Sequence, residues 1–352
     1  MAVNQTHIVI MAGGIGSRLW PASTPDRPKQ FSDLLGTGKS LIRLTVDRFR
    51  PVCPPEHIWV VTSVRYAETV RAQLPEVPAG QILCEPEPRN TAPCIAYACR
   101  KIEAVCPDAC VVVTPSDALI LDPAAFAEAV LRAVAFSEKR SAIVTLGIPP
   151  LYPATGYGYI QAGDMQEEPF RKVSSFREKP DAETARRYLE AGGYYWNAGI
   201  FIWHVSTVLG EIRRHAPQIA SVMDELAPFL GTAGEAEALS RLFPTCENIS
   251  IDYAVMERSD KIWVLPAPGL GWSDLGNWTA VQAQQPADGQ GNAAVGPVRF
   301  QEASGCYVHA PGLRDVVVAG VEGLLVAEED GRLLVCPLSR EQQVREWSRK
   351  KD

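Results

Sequence analysis

The sequence predicts an α/β protein with a Rossmann-like, mostly parallel sheet and helices on both faces, and three observations support this fold class. Short β-branched runs alternate with longer segments of helical period from residue 7 to residue 148. Of the 352 residues, 46% are hydrophobic and 21% are charged, as in folded globular proteins. After about residue 285 the apolar runs become short and strand-like, which predicts a small β-rich C-terminal domain. We therefore expect two domains, 1–284 and 285–352.

The strand and helix signals of the first half follow one another in a regular order. The strand-like segments are HIVIMAG, HIWVVTS, QILCEP, CVVVTPSD and SAIVTLGI. The helical segments between them are SLIRLTVDRF, VRYAETVRAQL, NTAPCIAYACRKIEAV and DPAAFAEAVLRAVAFSEK. Open parallel sheets bind ligands outside the carboxyl ends of their strands. We therefore expect a binding site formed by residues 13–18, 85–90 and 115–117.

The pattern changes at about residue 150. The segments GYGYIQAG, VSSFREKP and YYWNAGIFIWHV indicate antiparallel strands, with helices near 181–191, 206–215 and 235–243. We expect this region to be an insertion that shapes a second wall of the site. Beyond the polar stretch QQPADGQGNAAVG, the runs CYVHA, DVVVAG, GLLVAE and RLLVCPL form the predicted β-rich domain, and no internal repeat of fixed period is visible.

Charge and composition disfavour several classes of function. The formal net charge of −7 argues against nucleic acid as a partner, because phosphate-backbone binding needs clustered Lys and Arg. The sequence lacks both an apolar run of the ~20 residues that span a bilayer and a secretory signal, so we expect a cytoplasmic protein with no membrane partner. Nine cysteines form no CxxC pair and five histidines are scattered, so any metal should be held by carboxylates.

A glycine-rich loop, MAGGIGSRLWP at 11–21, follows the first predicted strand. It does not match a dinucleotide-binding fingerprint, which needs a third glycine where Leu19 stands, and GTGKS at 36–40 lacks the first glycine of a Walker A loop. What remains is a turn whose N–H groups can surround an anion, with Arg18 and Lys29 nearby. From these residues alone, two basic groups do not overturn the alternative interpretation, an ordinary strand-to-helix turn with solvated basic residues.

The whole pattern resembles one enzyme family. GGIGSRLWPAS followed by PKQF is similar to the signature loop of sugar-phosphate nucleotidyltransferases, and in this form to the mannose-1-phosphate guanylyltransferases, also called GDP-mannose pyrophosphorylases. Later segments agree in the same order: EPEPRNTAPCIA at 85–96, PSD at 115–117, GYGYI at 156–160, FREKPD at 176–181, WNAGIFIW at 196–203, SIDYAVME at 250–257 and WSDLGNW at 272–278. The resemblance covers roughly residues 8 to 280.

The resemblance implies that GTP and mannose 1-phosphate are the substrates, GDP-mannose and pyrophosphate the products, and Mg²⁺ the cofactor. Because the attacking phosphate is already an anion, no Ser, Cys or His base is required. The protein must instead align two polyanions and stabilise charge on the leaving pyrophosphate. The triphosphate is then expected at the loop and its two cations: Gly13, Gly14, Gly16, Ser17, Arg18 and Lys29.

Two aspartates are candidates for the metal. Asp117 lies just past the fourth predicted strand and Asp274 lies in the separate segment WSDLG, so two hard oxygen ligands could converge on one Mg²⁺. Either residue taken alone fits a turn or a helix cap better. The resemblance assigns both to the metal. Many relatives carry a histidine where this chain has Ala118, which puts in doubt a role for that neighbour alone.

Residues 85–91 follow the third predicted strand, where a loop that reads the base would lie. Guanine presents N1–H and N2–H₂ side by side, and one carboxylate can accept both, so an acid at this place favours guanine. The resemblance favours Glu85 over Glu87, with Asn90 and Thr91 also at the nucleotide. A surface loop with a helix start at Asn90 is the alternative interpretation.

The resemblance places mannose 1-phosphate at five later residues. Lys179 of FREKPD meets the sugar phosphate, where a compact cation suits a phosphate that becomes more crowded during reaction. Glu178 meets sugar hydroxyls. Asn197 and Gly199 of WNAGIF and Asp252 of SIDYAV also fall at the sugar. An exposed lysine on a turn is the ordinary interpretation of Lys179 without the resemblance.

Two alternative functions stay open. One is a nucleotidyltransferase for another sugar 1-phosphate or another base, and the other is a non-catalytic regulatory homologue that binds a sugar nucleotide and acts through its tail. The presence of Arg18, Lys29, Asp117, Lys179 and Asp274 together favours catalysis. The resemblance also implies that the tail, residues 285–352, is a fragment of left-handed β-helix. Longer relatives carry an isomerase domain, and we expect none in this sequence. We expect a homodimer.

Overall fold

The computed structural model describes residues 5–349, and contacts divide the chain into two compact units. The first unit contains the chain up to Gly13, Val46–Pro115 and Ile120–Trp272. The second contains Gly14–Thr45, Ser116–Leu119 and the chain from Ser273 onward. This grouping follows packing, and it cuts the chain at other points than the predicted boundary near residue 285.

A nine-stranded sheet forms the centre of the first unit, in the order β3-β2-β1-β4-β8-β5-β9-β7-β6. The strands are β1 (Thr6–Met11), β2 (Ile58–Ser63), β3 (Ile82–Glu85), β4 (Cys110–Pro115), β5 (Ile143–Ile148), β6 (Tyr159–Glu167), β7 (Phe170–Arg177), β8 (Tyr194–His204) and β9 (Ile262–Pro266). Strands β3, β2, β1 and β4 pair in parallel, as the alternating pattern of the first half predicts. Their carboxyl ends lead into the three expected site segments.

The prediction of a mostly parallel sheet is wrong for the other half, and the sheet is mixed. β8 pairs antiparallel with both β4 and β5, and β7 pairs antiparallel with β6 and β9. The region after residue 150 therefore contributes strands to the same sheet, including a central one. Ile200, Phe201, Ile202 and Trp203 of β8 are all buried, and a continuous apolar run is what a strand covered on both faces requires.

Several of the helices pack against this sheet, and two of them begin at a capping aspartate. The helices are α1 (Leu41–Phe49), α2 (Ala67–Gln73), α3 (Thr91–Val105), α4 (Pro123–Lys139), α5 (Ala182–Ala191), α6 (Val205–His215), α7 (Pro217–Leu226) and α8 (Glu235–Leu242). Asp122 caps α4 by accepting from Ala125 N, and Asp181 caps α5 by accepting from Thr184 N. No helix within residues 5–349 is long and apolar enough to span a membrane.

The second unit is rich in strands, as predicted for the C-terminal region. It contains β10 (Ala293–Val295), β11 (Val298–Gln301), β12 (Tyr307–His309), β13 (Val316–Ala319), β14 (Leu324–Glu329) and β15 (Arg332–Pro337), with α9 (Trp278–Gln282) and α10 (Val344–Trp347). The chain alternates between two sheets, because β10, β12 and β14 pair in parallel in one and β11 and β13 in the other. β15 closes the first of these sheets antiparallel to β14.

The sheet β10-β12-β14-β15 has an apolar face that packs on the glycine-loop segment of the same unit. Tyr307 and Leu325 of this face share a buried cluster with Leu19, Leu34 and Trp278. Trp278 Nε1 also donates to the Trp20 carbonyl at 3.2 Å. Residues 14–45 therefore pack on the apolar face of this C-terminal sheet.

Candidate active site

The glycine-rich loop follows β1, which ends at Met11, and runs through Gly13 and Gly14 to a 3₁₀ turn at Ser17–Leu19. Gly13 and Gly14 are exposed, and so is the Arg18 side chain, which forms no ion pair within residues 5–349. Gly16 has φ of 73°, and a Cβ there would lie 2.9 Å from Lys29 Cγ. Glycine at position 16 therefore allows the left-handed backbone conformation and also leaves room for the Lys29 side chain.

Lys29 is buried and its ammonium group has three acceptors within the second unit. Its Nζ lies 3.0 Å from Asp117 Oδ2 and donates to the carbonyls of Asp274 at 2.6 Å and Leu275 at 3.4 Å. An ammonium group has three N–H donors, so these partners can use all of them. The sequence predicted Lys29 at the triphosphate, and the structure places its ammonium group against the Asp117 carboxylate and the Asp274 backbone carbonyl.

A short antiparallel bridge brings the two aspartates into one place. Leu119 N donates to Ser273 O at 2.8 Å, and Ser273 N donates to Leu119 O at 3.1 Å. Asp117 and Asp274 therefore belong to adjoining segments, and both touch Lys29. Ala118, which lies between Asp117 and the bridge residue Leu119 in sequence, is buried.

The turn after Ser273 closes tightly around the Asp274 carboxylate. Asp274 Oδ1 accepts from Gly276 N at 3.1 Å, and a Cβ at Gly276 would lie 2.5 Å from Asp274 Oδ2. The described residues contain no group of three or more His, Cys, Asp or Glu side chains that could hold a metal. Mg²⁺ commonly takes one or two protein carboxylates together with substrate phosphates, and this pair of hard oxygen ligands fits that chemistry.

Glu85 ends β3 with a buried carboxylate. The residue is 8% exposed, and its Oε1 has no hydrogen-bond partner among residues 5–349. Burial raises the pKa of Glu85 to about 7, although a hydrogen bond with Cys94 acts in the opposite direction. Glu87, by contrast, forms an ion pair with Arg89, whose Nε donates to Glu87 Oε1 at 2.8 Å. Of the two glutamates, Glu85 is the buried one, and its Oε1 is unengaged, whereas Glu87 already has a cation as its partner.

Asn90 and Thr91 form the start of α3. Asn90 has φ of 67°, and its Oδ1 accepts from Thr91 N at 3.0 Å. Thr91 Oγ1 accepts from Ile251 N at 2.8 Å, which ties the helix start to the residue before Asp252. The helix start that sequence left open as an alternative is present, and both side-chain oxygens serve it or its neighbour.

Asn197 is the centre of the predicted sugar cluster. Its Nδ2 donates to Asp252 Oδ1 at 3.1 Å, and its Oδ1 accepts from Gly199 N at 3.0 Å and from Thr145 Oγ1 at 3.4 Å. Gly199 has φ of 69°, a conformation that favours glycine. Burial, followed by the negative charge of Glu178, raises the pKa of Asp252 to about 6.

Glu178 and Lys179 complete this cluster through an ion pair between neighbouring residues. The Glu178 side chain is 11% exposed and that of Lys179 is 60% exposed. Burial lowers the pKa of Lys179, but the hydrogen bond and charge of Glu178 outweigh it, so the pKa is raised overall. Glu178 N also donates to Glu257 Oε1 at 3.2 Å.

Gly158 lies beside the predicted sugar cluster, and it was assigned no role from the sequence. A Cβ there would lie 2.5 Å from Glu178 Oε2 and 3.3 Å from Asn197 Cβ, and the Gly158 carbonyl accepts from Asn197 N at 2.8 Å. The residue shapes the space beside two predicted sugar ligands. Its signal was its place in GYGYI, a segment noted for its resemblance without a role for this glycine.

A parallel half-sheet, a glycine loop and two neighbouring aspartates are features that the resemblance to nucleotidyltransferases led us to expect. The family model described as nucleotidyl transferase matches residues 7–290, and the chain belongs to this family.

Individual relatives make the likeness more specific. The chain is 36% identical over 349 residues to the alginate biosynthesis protein AlgA of Pseudomonas aeruginosa, covering 96% of this chain and 70% of that protein. It is 35% identical over 350 residues to a mannose-1-phosphate guanylyltransferase of Escherichia coli, covering 96% and 72%. The crystal structure described as mannose-1-phosphate geranyltransferase from Thermus thermophilus superposes with a TM-score of 0.87 at 31% identity, covering 97% and 98%.

Proposed function

We propose that this protein transfers GMP from GTP to mannose 1-phosphate and releases pyrophosphate, giving GDP-mannose. The observation that carries this proposal is the likeness, over 96% of the chain, to a protein named mannose-1-phosphate guanylyltransferase. The site contributes independent support, since it offers cations, loop amides and carboxylates but needs no nucleophilic side chain. The attacking group is the phosphate of the sugar substrate.

The glycine loop binds the triphosphate in this proposal. The exposed backbone at Gly13 and Gly14, the turn at Gly16 and Ser17, and the exposed Arg18 guanidinium provide N–H donors and positive charge. These groups align the α-phosphorus for attack and stabilise the charge that develops on pyrophosphate.

Asp117 and Asp274 would hold Mg²⁺, which supplies charge stabilisation to the phosphates when bound. Lys29 serves this pair through its contacts with the Asp117 carboxylate and the Asp274 carbonyl. It keeps the Asp117 charge compensated before ligands enter and fixes the segment that carries Asp274. In this role Lys29 positions the carboxylates, and a movement of its ammonium group toward the triphosphate requires that it leave these acceptors.

Glu85 recognises guanine in this proposal. Its unpartnered Oε1 and its partial burial offer a carboxylate edge to N1–H and N2–H₂, which uracil and thymine lack. Asn90 and Thr91 hold the loop and the start of α3 at the nucleotide. Because the pKa of Glu85 is about 7, binding of the two donors should favour its ionised form.

The cluster around Asn197 binds mannose 1-phosphate. Lys179 contacts the phosphate through its exposed ammonium group, and Glu178, Asn197 and Asp252 offer oxygen and nitrogen atoms to sugar hydroxyls. Gly199 and Gly158 leave room for the ring to approach the backbone. The carboxylates at this cluster are acceptors for hydroxyl donors and take no part in proton transfer.

A pyrophosphate-release screen tests the function. GTP, ATP, UTP and CTP are each combined with mannose 1-phosphate, glucose 1-phosphate and N-acetylglucosamine 1-phosphate in the presence of Mg²⁺. We expect the highest rate with GTP and mannose 1-phosphate. A different preferred pair would favour the alternative of another nucleotidyltransferase, and no release with any pair would favour the regulatory homologue.

The remaining proposals concern the tail and the assembly. We propose that residues 285–352 form a small β-rich domain that winds as a left-handed β-helix, supported by the alternation of β10 to β14 between two parallel sheets. We also propose a homodimer, supported by Leu333 and Val335, which are exposed on the edge strand β15. Light scattering should give twice the chain mass, and a monomer at all concentrations would contradict the dimer.

A further inference from the structure

An ion pair joins the β-rich tail to the segment that carries Lys29. Arg27 Nη1 contacts Glu329 Oε1, and it lies 3.6 Å from Asp330 Oδ2. We propose that Glu329 is a positioning residue for the triphosphate end of the site, acting through Arg27 on Lys29. This inference rests on the proposed function, and it gives the tail a part in the reaction that its distance along the chain hides.

A tight hairpin fixes Glu329. β14 and β15 pair with Glu329 opposite Arg332, so only Asp330 and Gly331 form the turn. Their φ angles are 50° and 74°, and two positive φ angles in a two-residue loop define the turn that best matches strand twist. Glu328 Oε1 accepts from Gly331 N at 3.0 Å and holds the turn further. The Glu329 carboxylate is thereby presented from a rigid support.

A second turn fixes Arg27. Thr24 N donates to Arg27 O at 3.0 Å, and Arg27 N donates back to Thr24 O at 3.2 Å. Arg27 lies two residues before Lys29, with the buried Pro28 between them. A shift of the Arg27 backbone is therefore transmitted to Lys29, because proline restricts the connecting backbone. Lys29 in turn contacts Asp117 and the Asp274 carbonyl.

The ion pair between Arg27 and Glu329 is partly buried, unlike an ordinary surface ion pair. The Glu329 side chain is 15% exposed and Arg27 is 41% exposed. His309 Nε2 lies 3.9 Å from Glu329 Oε2, and burial lowers the pKa of this histidine to about 4, so it is neutral near pH 7. Arg27 is thus the cation that compensates Glu329. A mostly buried carboxylate that loses its cation is left as an uncompensated buried charge, which is strongly destabilising.

The tail contains a matched control pair. Arg299 Nη2 lies 2.8 Å from Asp315 Oδ2, and both side chains are 61% exposed. Both residues belong to the tail itself, Arg299 in β11 and Asp315 directly before β13. An exposed pair of this kind contributes little to stability. Asp315→Asn therefore removes one tail carboxylate without touching residues 14–45.

The experiment compares Glu329→Gln with Asp315→Asn in the full chain. Pyrophosphate release gives kcat and the KM of each substrate, and calorimetry gives GTP affinity. We expect Glu329→Gln to raise the KM for GTP roughly fivefold to twentyfold and leave the KM for mannose 1-phosphate nearly unchanged. Asp315→Asn should match the wild type. Equal GTP parameters for the two variants would overturn the proposal.

Variants of Arg27 keep the test decisive if Glu329→Gln folds poorly. Arg27→Met should reproduce the GTP defect, whereas Arg27→Lys, which retains a cation, should restore most GTP affinity. A defect equal for both substrates, or no recovery with lysine, would show a merely structural contact. Wild-type protein is measured first, because absence of turnover there refutes the proposed function, while GTP affinity from calorimetry still tests the positioning role.

Discussion

The cluster around Lys29 and the cluster around Asn197 handle buried charge differently. In the first, a buried ammonium group meets one carboxylate and two carbonyls, so the carboxylate charge is compensated within the protein. In the second, Glu178 and Asp252 lie close enough to raise the pKa of Asp252, and their cation, Lys179, is mostly exposed. One cluster is complete without ligand, and the other has an excess of acceptors.

This difference indicates what each cluster is prepared to receive. A compensated cluster keeps its geometry before phosphates arrive, which suits preorganised stabilisation of charge. A cluster with excess acceptors is suited to hydroxyl donors, because each sugar hydroxyl can satisfy an oxygen atom that lacks a partner. We therefore expect changes in the first cluster to affect the chemical step and the use of GTP, and changes in the second to affect the use of mannose 1-phosphate.

The largest expected effect comes from the aspartates of the first cluster. Asp117→Asn and Asp274→Asn should each lower kcat by roughly a hundredfold or more, because the metal they would hold contributes several kcal/mol of charge stabilisation. Pyrophosphate release measures the rate, thermal melting checks the fold, and Asp315→Asn is the control. Near-normal Mg²⁺-dependent activity in a folded variant would remove that residue from the metal site.

The Lys29 contacts give the next largest effect. Lys29→Met should lower kcat and also destabilise the fold by about 1–3 kcal/mol, because Asp117 and two carbonyls lose their donor. Lys29→Arg should not restore activity, since a planar guanidinium cannot reproduce three donors on one atom. Denaturant unfolding measures the stability. Full activity of the arginine variant would show that charge alone is needed here.

The second cluster is tested by Lys179→Ala. We expect the KM for mannose 1-phosphate to rise and kcat to fall, roughly tenfold or more in their ratio, with GTP affinity unchanged. Thermal stability should change little, because the side chain is 60% exposed. Calorimetric titration with each substrate separately decides the assignment. A loss of GTP affinity with intact mannose 1-phosphate binding would place this lysine at the other substrate.

Glu85 should give the smallest change in rate and a distinct dependence on pH. Because its pKa is about 7, GTP affinity should rise as pH increases through 7, and Glu85→Gln should abolish this rise. The variant should also lose more affinity for GTP than for inosine triphosphate, which lacks the N2 amine. Equal losses for the two nucleotides would move base recognition to another residue, with Glu87 the next to test.

The same pKa shift predicts a change in stability. A pKa raised from 4.5 means that the protonated carboxyl is favoured in the folded state, so its contribution to stability is full below pH 4.5 and is lost as pH rises through 7. Above pH 7, Glu85→Gln should therefore be more stable than the wild type, by up to roughly 3 kcal/mol. Denaturant unfolding at pH 5 and pH 8 measures this difference.

Local pattern predicted the parallel half-sheet, because alternation of strand and helix signals is a property of neighbouring residues. It failed for β8, whose place between β4 and β5 depends on pairing between distant segments. It also passed over α7, although Pro217 at its start and buried Ile219, Met223 and Leu226 follow a helical period. Only one residue separates α7 from α6, so their signals merge.

The candidate site shows the same limit. The family resemblance identified Asp117 and Asp274 as metal ligands. No local pattern could reveal that Lys29 contacts the segments that carry both residues. It also could not separate Glu85 from Glu87 by environment, since burial and the Arg89 ion pair appear only in three dimensions. Which charges are compensated is decided by tertiary contacts.

Because the Lys29 side chain lies close to Gly16, the residues that each of these two positions can accept depend on each other. A side chain at position 16 would meet the lysine chain at 2.9 Å, and its backbone would remain in the left-handed region. Asparagine or aspartate tolerates that backbone, but neither has room while the lysine is present. A side chain at position 16 is therefore accommodated with less strain once position 29 carries a shorter residue. While the lysine is kept, replacement of Gly16 strains the backbone and also displaces the lysine chain.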